Sequence, residues 1–235
     1  MSLLLAFATE KERAAALGGL GCPIPFPADG LLPMIPWTRN SREFLVLVAG
    51  VGPVAAALRL GAALAANPDI EGCLNLGVAG TFDPKYAPLG AAVAATAEIF
   101  PEYGLRTAQG VDATGIRLPQ LSTPKAPVRD RLDLDPDAAA KAVGLTLPDD
   151  IRRGKSLTVA GVTAEPEAAA SFHAAYGVLT ENMEGFALAL GCEAAGIPFL
   201  EARVISNKVG SRAPGDWDLP GALARLRELF LALAR

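Results

Sequence analysis

A single histidine and three scattered cysteines leave this 235-residue chain with little material for metal or thiol chemistry. One imidazole excludes a His-rich metal site. A Ser-His-Asp triad would have to run through His173, which lies in the Ala-rich stretch "AAASFHAAYG" and reads as an ordinary helix residue. Cys22, Cys73 and Cys192 are odd in number and form no C-x-x-C pair. That excludes a disulfide scaffold and fits three reduced thiols in a cytoplasmic protein. No apolar run approaches the ~20 residues that a membrane helix needs. The opening "MSLLLAFATEKE" has a short apolar run with no basic segment before it, so it reads as a first strand and not as a signal peptide. Lys and Arg form no block and the net charge is −4, which argues against nucleic acid as a partner.

Apolar runs alternating with Ala-rich segments dominate what remains. Strand-like runs occupy 3–8, 44–50, 72–80, 90–99, 156–162, 176–182 and 198–206, and helical stretches 9–19, 53–67, 165–175, 184–195 and 219–235. The strands are continuously apolar, as in a sheet covered on both faces. The alternation predicts an α/β fold: a three-layer α/β/α sandwich around a central mixed, mostly parallel sheet. A core of this size buries about 70–75% of the unfolded chain's surface without staples. Residues 20–41 and 100–137 break the rhythm with Pro, Gly and Asp but lack the Gly/Ser composition of a flexible linker. They read as ordered excursions, lids or subunit contacts, from one domain spanning 1–235.

Five local patterns stand out, each with an ordinary structural explanation beside it. "AGVGPVAAA" holds Gly50-x-Gly52-x-x-Ala55 between a strand and a helix, the shape of a dinucleotide fingerprint. The expected acid is misplaced, because Asp69 and Glu71 precede the next strand, so a tight strand-to-helix turn is the better reading. "FATEKERAAAL" sets Glu10 and Glu12 just past a strand's C-terminal end, where α/β ligands bind. Thr9-x-x-Glu12 also fits a capping box, which this stretch alone favours. "NLGVAGTFD" (75–83), with Val78 and Gly80, is a Gly-rich strand end that serves equally as a turn or as backbone approaching a ligand. In "ENMEG", Glu184 opens a helix and either caps it or holds a substrate. "LEARVISNKVGSRAPGDWDL" ends a strand at Ser206-Asn207 and continues into a polar loop with Lys208, Arg212, Asp216 and Trp217, the sort of loop that carries function.

The order of these patterns is more specific than any one of them. A strand leading into Thr-Glu-x-Glu, a mid-chain "NLGVAG", "ENMEG" and then "RVISN" resembles the purine nucleoside phosphorylase/hydrolase superfamily. The chain is similar to its hydrolytic branch of methylthioadenosine/adenosylhomocysteine nucleosidases, and more so to the futalosine hydrolases of the alternative menaquinone route. The resemblance runs from Leu3 to Trp217 and is thinnest over 20–41 and 100–155. It implies that Glu12 activates the attacking water, that Arg203 helps hold that water and Glu12, and that Met183 lies against the ribose. Glu184 would grip the 2′- and 3′-hydroxyls, and Asn207 would meet the imidazole edge and O6 of the purine. Glu181 has no such role and reads as structural. Val78 stands where the adenosine nucleosidases usually carry Ser, which puts a Ser-assisted proton relay in doubt.

The leaving base separates the subfamilies. An Asp acid protonates adenine at N7 in the adenosine nucleosidases, and Asn207 takes that position here. An amide offers a donor and an acceptor but no acidic proton, which suits a 6-oxopurine such as hypoxanthine. Futalosine's benzoate would pair with Arg212 or Lys208, and Trp217 would cover its ring. The resemblance implies a small-molecule nucleoside substrate, no metal or organic cofactor, no nucleic acid or membrane partner, and a homodimer or larger homo-oligomer. The rival readings are an adenosine-type nucleosidase, a phosphate-dependent phosphorylase, and a non-catalytic nucleotide-binding module built on Gly50-x-Gly52.

Overall fold

Alternation along the first strand sets the layers. In β1 (Ser2–Phe7) every side chain from Leu3 to Phe7 is fully buried. Successive side chains point to opposite faces of a strand, so both faces must be covered. Leu3, Leu5 and Phe7 pack with Ala16 and Leu17 of α1 (Glu10–Leu17) and with Leu226 and Phe230 of α6 (Leu219–Leu233). Leu4 and Ala6 pack with Ala56 and Leu60 of α2 (Pro53–Ala66) and with Phe186 and Leu188 of α5 (Gly185–Ala195). Helices on both faces of one sheet make the three-layer α/β/α arrangement.

The computed structural model describes residues 2–23, 34–108, 110–124 and 126–235. Its other strands are β2 (Met34–Arg39), β3 (Arg42–Val48), β4 (Ile70–Thr81), β5 (Ala92–Ile99), β6 (Leu105–Thr107), β7 (Gly110–Asp112), β8 (Leu121–Ser122), β9 (Pro127–Val128), β10 (Arg131–Asp133), β11 (Arg152–Thr158), β12 (Thr180–Asn182) and β13 (Phe199–Lys208). The remaining helices are α3 (Pro136–Ala142) and α4 (Pro166–Tyr176).

Among the described residues the central sheet has nine strands, in the order β10-β5-β11-β12-β4-β1-β3-β2, with β13 pairing both β4 and β5. Parallel pairs join β1 to β3 and β4, β13 to β4, and β11 to β5 and β12. Antiparallel pairs join β2 to β3, β10 to β5, β12 to β4 and β13 to β5. The sheet is thus mixed and mostly parallel. It also closes on itself: β4, β13, β5, β11 and β12 form a ring. Leu200, Ala202 and Val204 of β13 face the apolar core. The alternate Glu201 and Arg203 join a buried polar set with Asn75, Glu98, Ser156, Thr158 and Asn182, hydrogen-bonded across the ring.

Several boundaries differ from the sequence reading. The strand expected over 176–182 is only β12, because Tyr176 ends α4 and Gly177, at φ 60°, caps it in the left-handed conformation. Strand β11 starts at Arg152, before the apolar run, on a partly exposed charged stretch. In the 20–41 excursion, residues 24–33 lie outside the described residues. The rest supplies β2, joined to β3 by Asn40 and Ser41 at φ 49° and 63°, a primed hairpin turn that suits strand twist. The 100–137 excursion holds the small hairpins β6–β7 and β8–β9, then β10. Helix α3 comes next, with Asp135 accepting from Ala138 N and Pro136 in the first turn. Its seven residues are too few for a periodic signal.

Among the described residues no helix is long and apolar enough to cross a membrane, and no group of His, Cys, Asp and Glu could hold a metal ion.

Candidate active site

Glu12 both caps a helix and faces a cavity. The capping box is present: Thr9 Oγ1 accepts from Glu12 N at 3.2 Å, and Thr9 N donates to Glu12 Oε2 at 2.9 Å. The other oxygen, Oε1, accepts from Val78 N at 3.0 Å, across to the Gly-rich end of β4. A Cβ on Gly77 would meet both Glu12 Oε1 and Arg203 Nη1 at 2.7 Å, so the missing side chain is what lets the two groups approach that strand. The box therefore holds the carboxylate in one place and leaves its second oxygen to Val78 N.

Glu184 stands at the N-cap position of α5 yet does not cap it. Asn182 does so instead, its Oδ1 accepting from Glu184 N at 2.8 Å and Gly185 N at 2.7 Å. Thr158 Oγ1 accepts from Phe186 N at 2.7 Å. With these donors satisfied by other residues, the Glu184 carboxylate turns into the cavity. Its Oε1 accepts from Gly52 N at 3.1 Å, and its Oε2 lies 3.5 Å from Arg203 Nη2. Gly52, at φ 91°, is the N-cap residue of α2, so a helix N-terminus points its amide at a carboxylate. The Gly50-x-Gly52 turn therefore serves the site. Burial pushes the Glu184 carboxyl above its ordinary value, Arg203 and the Gly52 amide oppose that rise, and Glu12 and Glu201 add to it.

The opposite end of the cavity is made by the last residues of β13 and the loop after it. Asn207 Oδ1 accepts from Ser206 Oγ at 2.9 Å, and its Nδ2 donates to Lys208 O at 3.3 Å. A Cβ on Gly80 would meet Asn207 Nδ2 at 3.0 Å, so this glycine makes room for the amide. The loop folds back through an antiparallel bridge between Asn207 and Trp217 and a bond from Asp218 N to Ser206 O of 2.8 Å. Trp217 Nε1 donates to Ser211 O at 2.7 Å, and the Arg212 guanidinium lies 5.2 Å from the Trp217 ring centroid. Glu181 completes this end, accepting from Thr163 N at 3.1 Å and from Thr163 Oγ1. Burial raises its carboxyl above the ordinary value, and the Thr163 bonds oppose that.

One cavity of about 310 Å³ is lined by Glu12, Val78, Gly80, Met183, Glu184, Asn207, Arg212 and Trp217. Of the residues the sequence singled out for the site, Arg203 and Lys208 do not line it. Arg203 is buried, with Nη2 3.5 Å from Glu184 Oε2 and 3.4 Å from Glu201 Oε2. Lys208 is exposed and lies outside the cavity, and His173 bonds Val178 O within its own neighbourhood. Sequence reasoning missed Thr9, Lys11, Thr163 and Ser206 as lining residues, and Glu181, read as structural, also lines the cavity. The signal for Thr9 was the capping box itself. The 159–165 turn that carries Thr163 had none.

Comparison with known proteins identifies relatives of this chain. The phosphorylase superfamily pattern matches residues 28–234. The chain is 35% identical over 246 residues to a futalosine hydrolase of Streptomyces coelicolor, covering 100% of this chain and 95% of the relative. It is 35% identical over 198 residues to a futalosine hydrolase of Thermus thermophilus, covering 82% and 78%. Among solved structures, a futalosine hydrolase of Helicobacter pylori aligns over 100% of this chain and 95% of its own, with a TM-score of 0.70 at 17% identity. A methylthioadenosine/adenosylhomocysteine nucleosidase of Campylobacter jejuni aligns over 99% and 97%, with a TM-score of 0.71 at 19% identity. At those identities the structural likeness speaks for the fold alone.

Proposed function

Because the chain belongs to the phosphorylase superfamily and, within it, to the futalosine hydrolase family of nucleosidases, we propose that it cleaves the N-glycosidic bond of futalosine with water and releases hypoxanthine. The observation that carries this reading is that Glu12, Glu184 and Asn207, far apart along the chain, line one cavity. Breaking the bond leaves positive charge on the ribosyl ring and negative charge on the base, as in glycoside hydrolysis. Glu184 accepts from the 2′- and 3′-hydroxyls, and its charge favours the cationic sugar, which rests on Met183. Glu12 takes a proton from the attacking water as its oxygen bonds C1′, a step worth about 10²–10⁴-fold. The bonding pair leaves with the purine, which takes one proton from solvent at N7 while Glu12 returns its own to solvent; Asn207 Nδ2 donates to O6 and Oδ1 accepts from the new N7–H. Arg212 and Trp217 stand where a benzoate would need a cation and a flat apolar wall.

Two further observations favour hydrolysis over phosphorolysis. Arg203, the guanidinium nearest the sugar end, is committed to Glu184 and Glu201, and Glu12 would repel an anion at the place where phosphate attacks. The reading places the enzyme in the alternative menaquinone route and retains the expected homo-oligomer. Incubation with futalosine in phosphate-free buffer should release free hypoxanthine. A requirement for phosphate, or a higher kcat/KM on methylthioadenosine, would overturn it.

A further inference from the structure

Four carboxyls surround one guanidinium beneath the cavity. Glu12, Glu98, Glu184 and Glu201 are each buried, and Arg203 is the cation among them. Two of the four, Glu98 on β5 and Glu201 on β13, do not reach the cavity. They meet inside the closed ring of strands. Asn182 Nδ2 donates to Glu98 Oε1 at 2.9 Å and lies 3.3 Å from Glu201 Oε1. One oxygen of each flanks the point where a Cβ on Gly185 would stand, so Gly185 is open to both and any side chain there would collide with them.

Their partners differ. Glu201 Oε2 takes Asn75 Nδ2 at 2.7 Å and Arg203 Nη2 at 3.4 Å, an arrangement that suits an anion. Glu98 has the Thr158 hydroxyl at 2.5 Å and a share of Asn182, with no cation in contact among the described residues. Two carboxylates in one dry site cannot both ionise without great cost, and the group with the poorer partners keeps the proton. Burial and the neighbouring Glu201 both act to raise the Glu98 carboxyl well above its ordinary value, and the Thr158 hydroxyl and Arg203 oppose them only in part. Among the described residues, Glu184 from the start of α5 and Cys73 from β4 also act on Glu201, and Glu12 from α1 acts on Arg203.

We infer that Glu98 and Glu201 share one proton, held by Glu98, and act as positioning residues whose single negative charge is the standing counter-ion of Arg203. Glu184 must turn its oxygens to the sugar hydroxyls during turnover. With Glu201 on its other side, Arg203 keeps an anionic partner throughout and does not follow Glu184 into the cavity. The same pair fixes Asn182, whose Oδ1 caps α5 and so sets the direction of Glu184. The part of this inference that concerns turnover rests on the nucleosidase reading; the protonation of Glu98 does not.

The test separates the two. Infrared spectra of the wild-type protein at neutral pH should show a protonated-carboxyl band that is absent in Glu98→Gln. No such band in the wild type overturns the inference, whether or not futalosine is cleaved. Glu98→Gln preserves the charge of the pair, so its kcat/KM should stay within about threefold of wild type, with the acid limb of the pH profile unmoved. In Glu98→Gln/Glu201→Gln the charge is gone. Glu184 then loses a like-charged neighbour, the acid limb should move to lower pH, and kcat should fall about tenfold to a hundredfold, as for a misplaced catalytic group. A limb that moves in Glu98→Gln alone, or that fails to move in the double variant, overturns it. Absence of futalosine turnover in the wild type would sink the nucleosidase reading and leave the infrared result standing.

Discussion

The floor and the roof of the cavity are built by different means. On the floor, Glu12 and Glu184 are buried, and each carboxylate is met by backbone amides from another element, Val78 N and Gly52 N. The roof, from Ser211 to Trp217, is mostly exposed and held by a few bonds within the loop, such as Ser211 Oγ to Asp216 Oδ2 at 2.6 Å. Groups that stabilise developing charge gain most where water is excluded and nothing needs to reorganise. Groups that choose among substrates can sit on a loop that varies freely. The floor is therefore the region for the chemistry of the sugar, and the roof for the identity of what is attached to it.

The largest effect that could break this division is at the floor. Glu12→Gln and Glu184→Gln should each lower kcat by about 10²–10⁴-fold while circular dichroism and Tm stay near wild type. A mild loss in both would end the assignment. Gly77→Ala comes next, because its Cβ would press on Glu12 and Arg203 together. We expect kcat to fall about a hundredfold with a smaller change in KM, read by steady-state kinetics. At the base end, Asn207→Asp should exchange selectivity, lowering kcat/KM for futalosine and raising it for methylthioadenosine. A swing of about tenfold or more in their ratio would support the amide as the reader of the 6-oxo group. On the roof, Arg212→Ala should raise KM for futalosine by about tenfold and leave inosine, which has no benzoate, unchanged. An unchanged KM for futalosine removes Arg212 from the site.

The smallest effect concerns pH. Glu98 in the folded state is raised above its unfolded value, so the stability it brings is complete below the ordinary carboxylate range and is lost as pH rises through the raised value. Glu98→Gln removes that loss. Its urea midpoint should decline less than that of wild type between acidic and alkaline buffers. A steeper decline contradicts the raised carboxyl.

Legibility in the sequence divides along the same line. The floor acids sit in compact local patterns, Thr9-x-x-Glu12 and Met183-Glu184, each at a strand end where a helix begins. Continuous apolar strands disclosed the layered α/β form, because burial on both faces is a property of each strand alone. Ring closure was not legible, since it depends on β13 pairing β4 and β5 across more than a hundred residues. The burial of Asn75, Glu98 and Glu201 around Arg203 was missed for the same reason. A trace of it was present: Glu201-x-Arg203 places two charges at alternate positions of an otherwise apolar strand, which points them both to one polar interior. The bonds between Glu181 and Thr163 depend on a turn against β12, a contact that no local pattern announces.

Handing the cap of α5 to Asn182 has one more consequence. The first turn of the helix rests on Asn182 and Thr158, so the acid beside it carries no duty to that cap. Glu184 can be exchanged for other side chains without unravelling the helix behind it. Redesign of the sugar end can therefore begin there, with Asn182 left untouched as the fixed point.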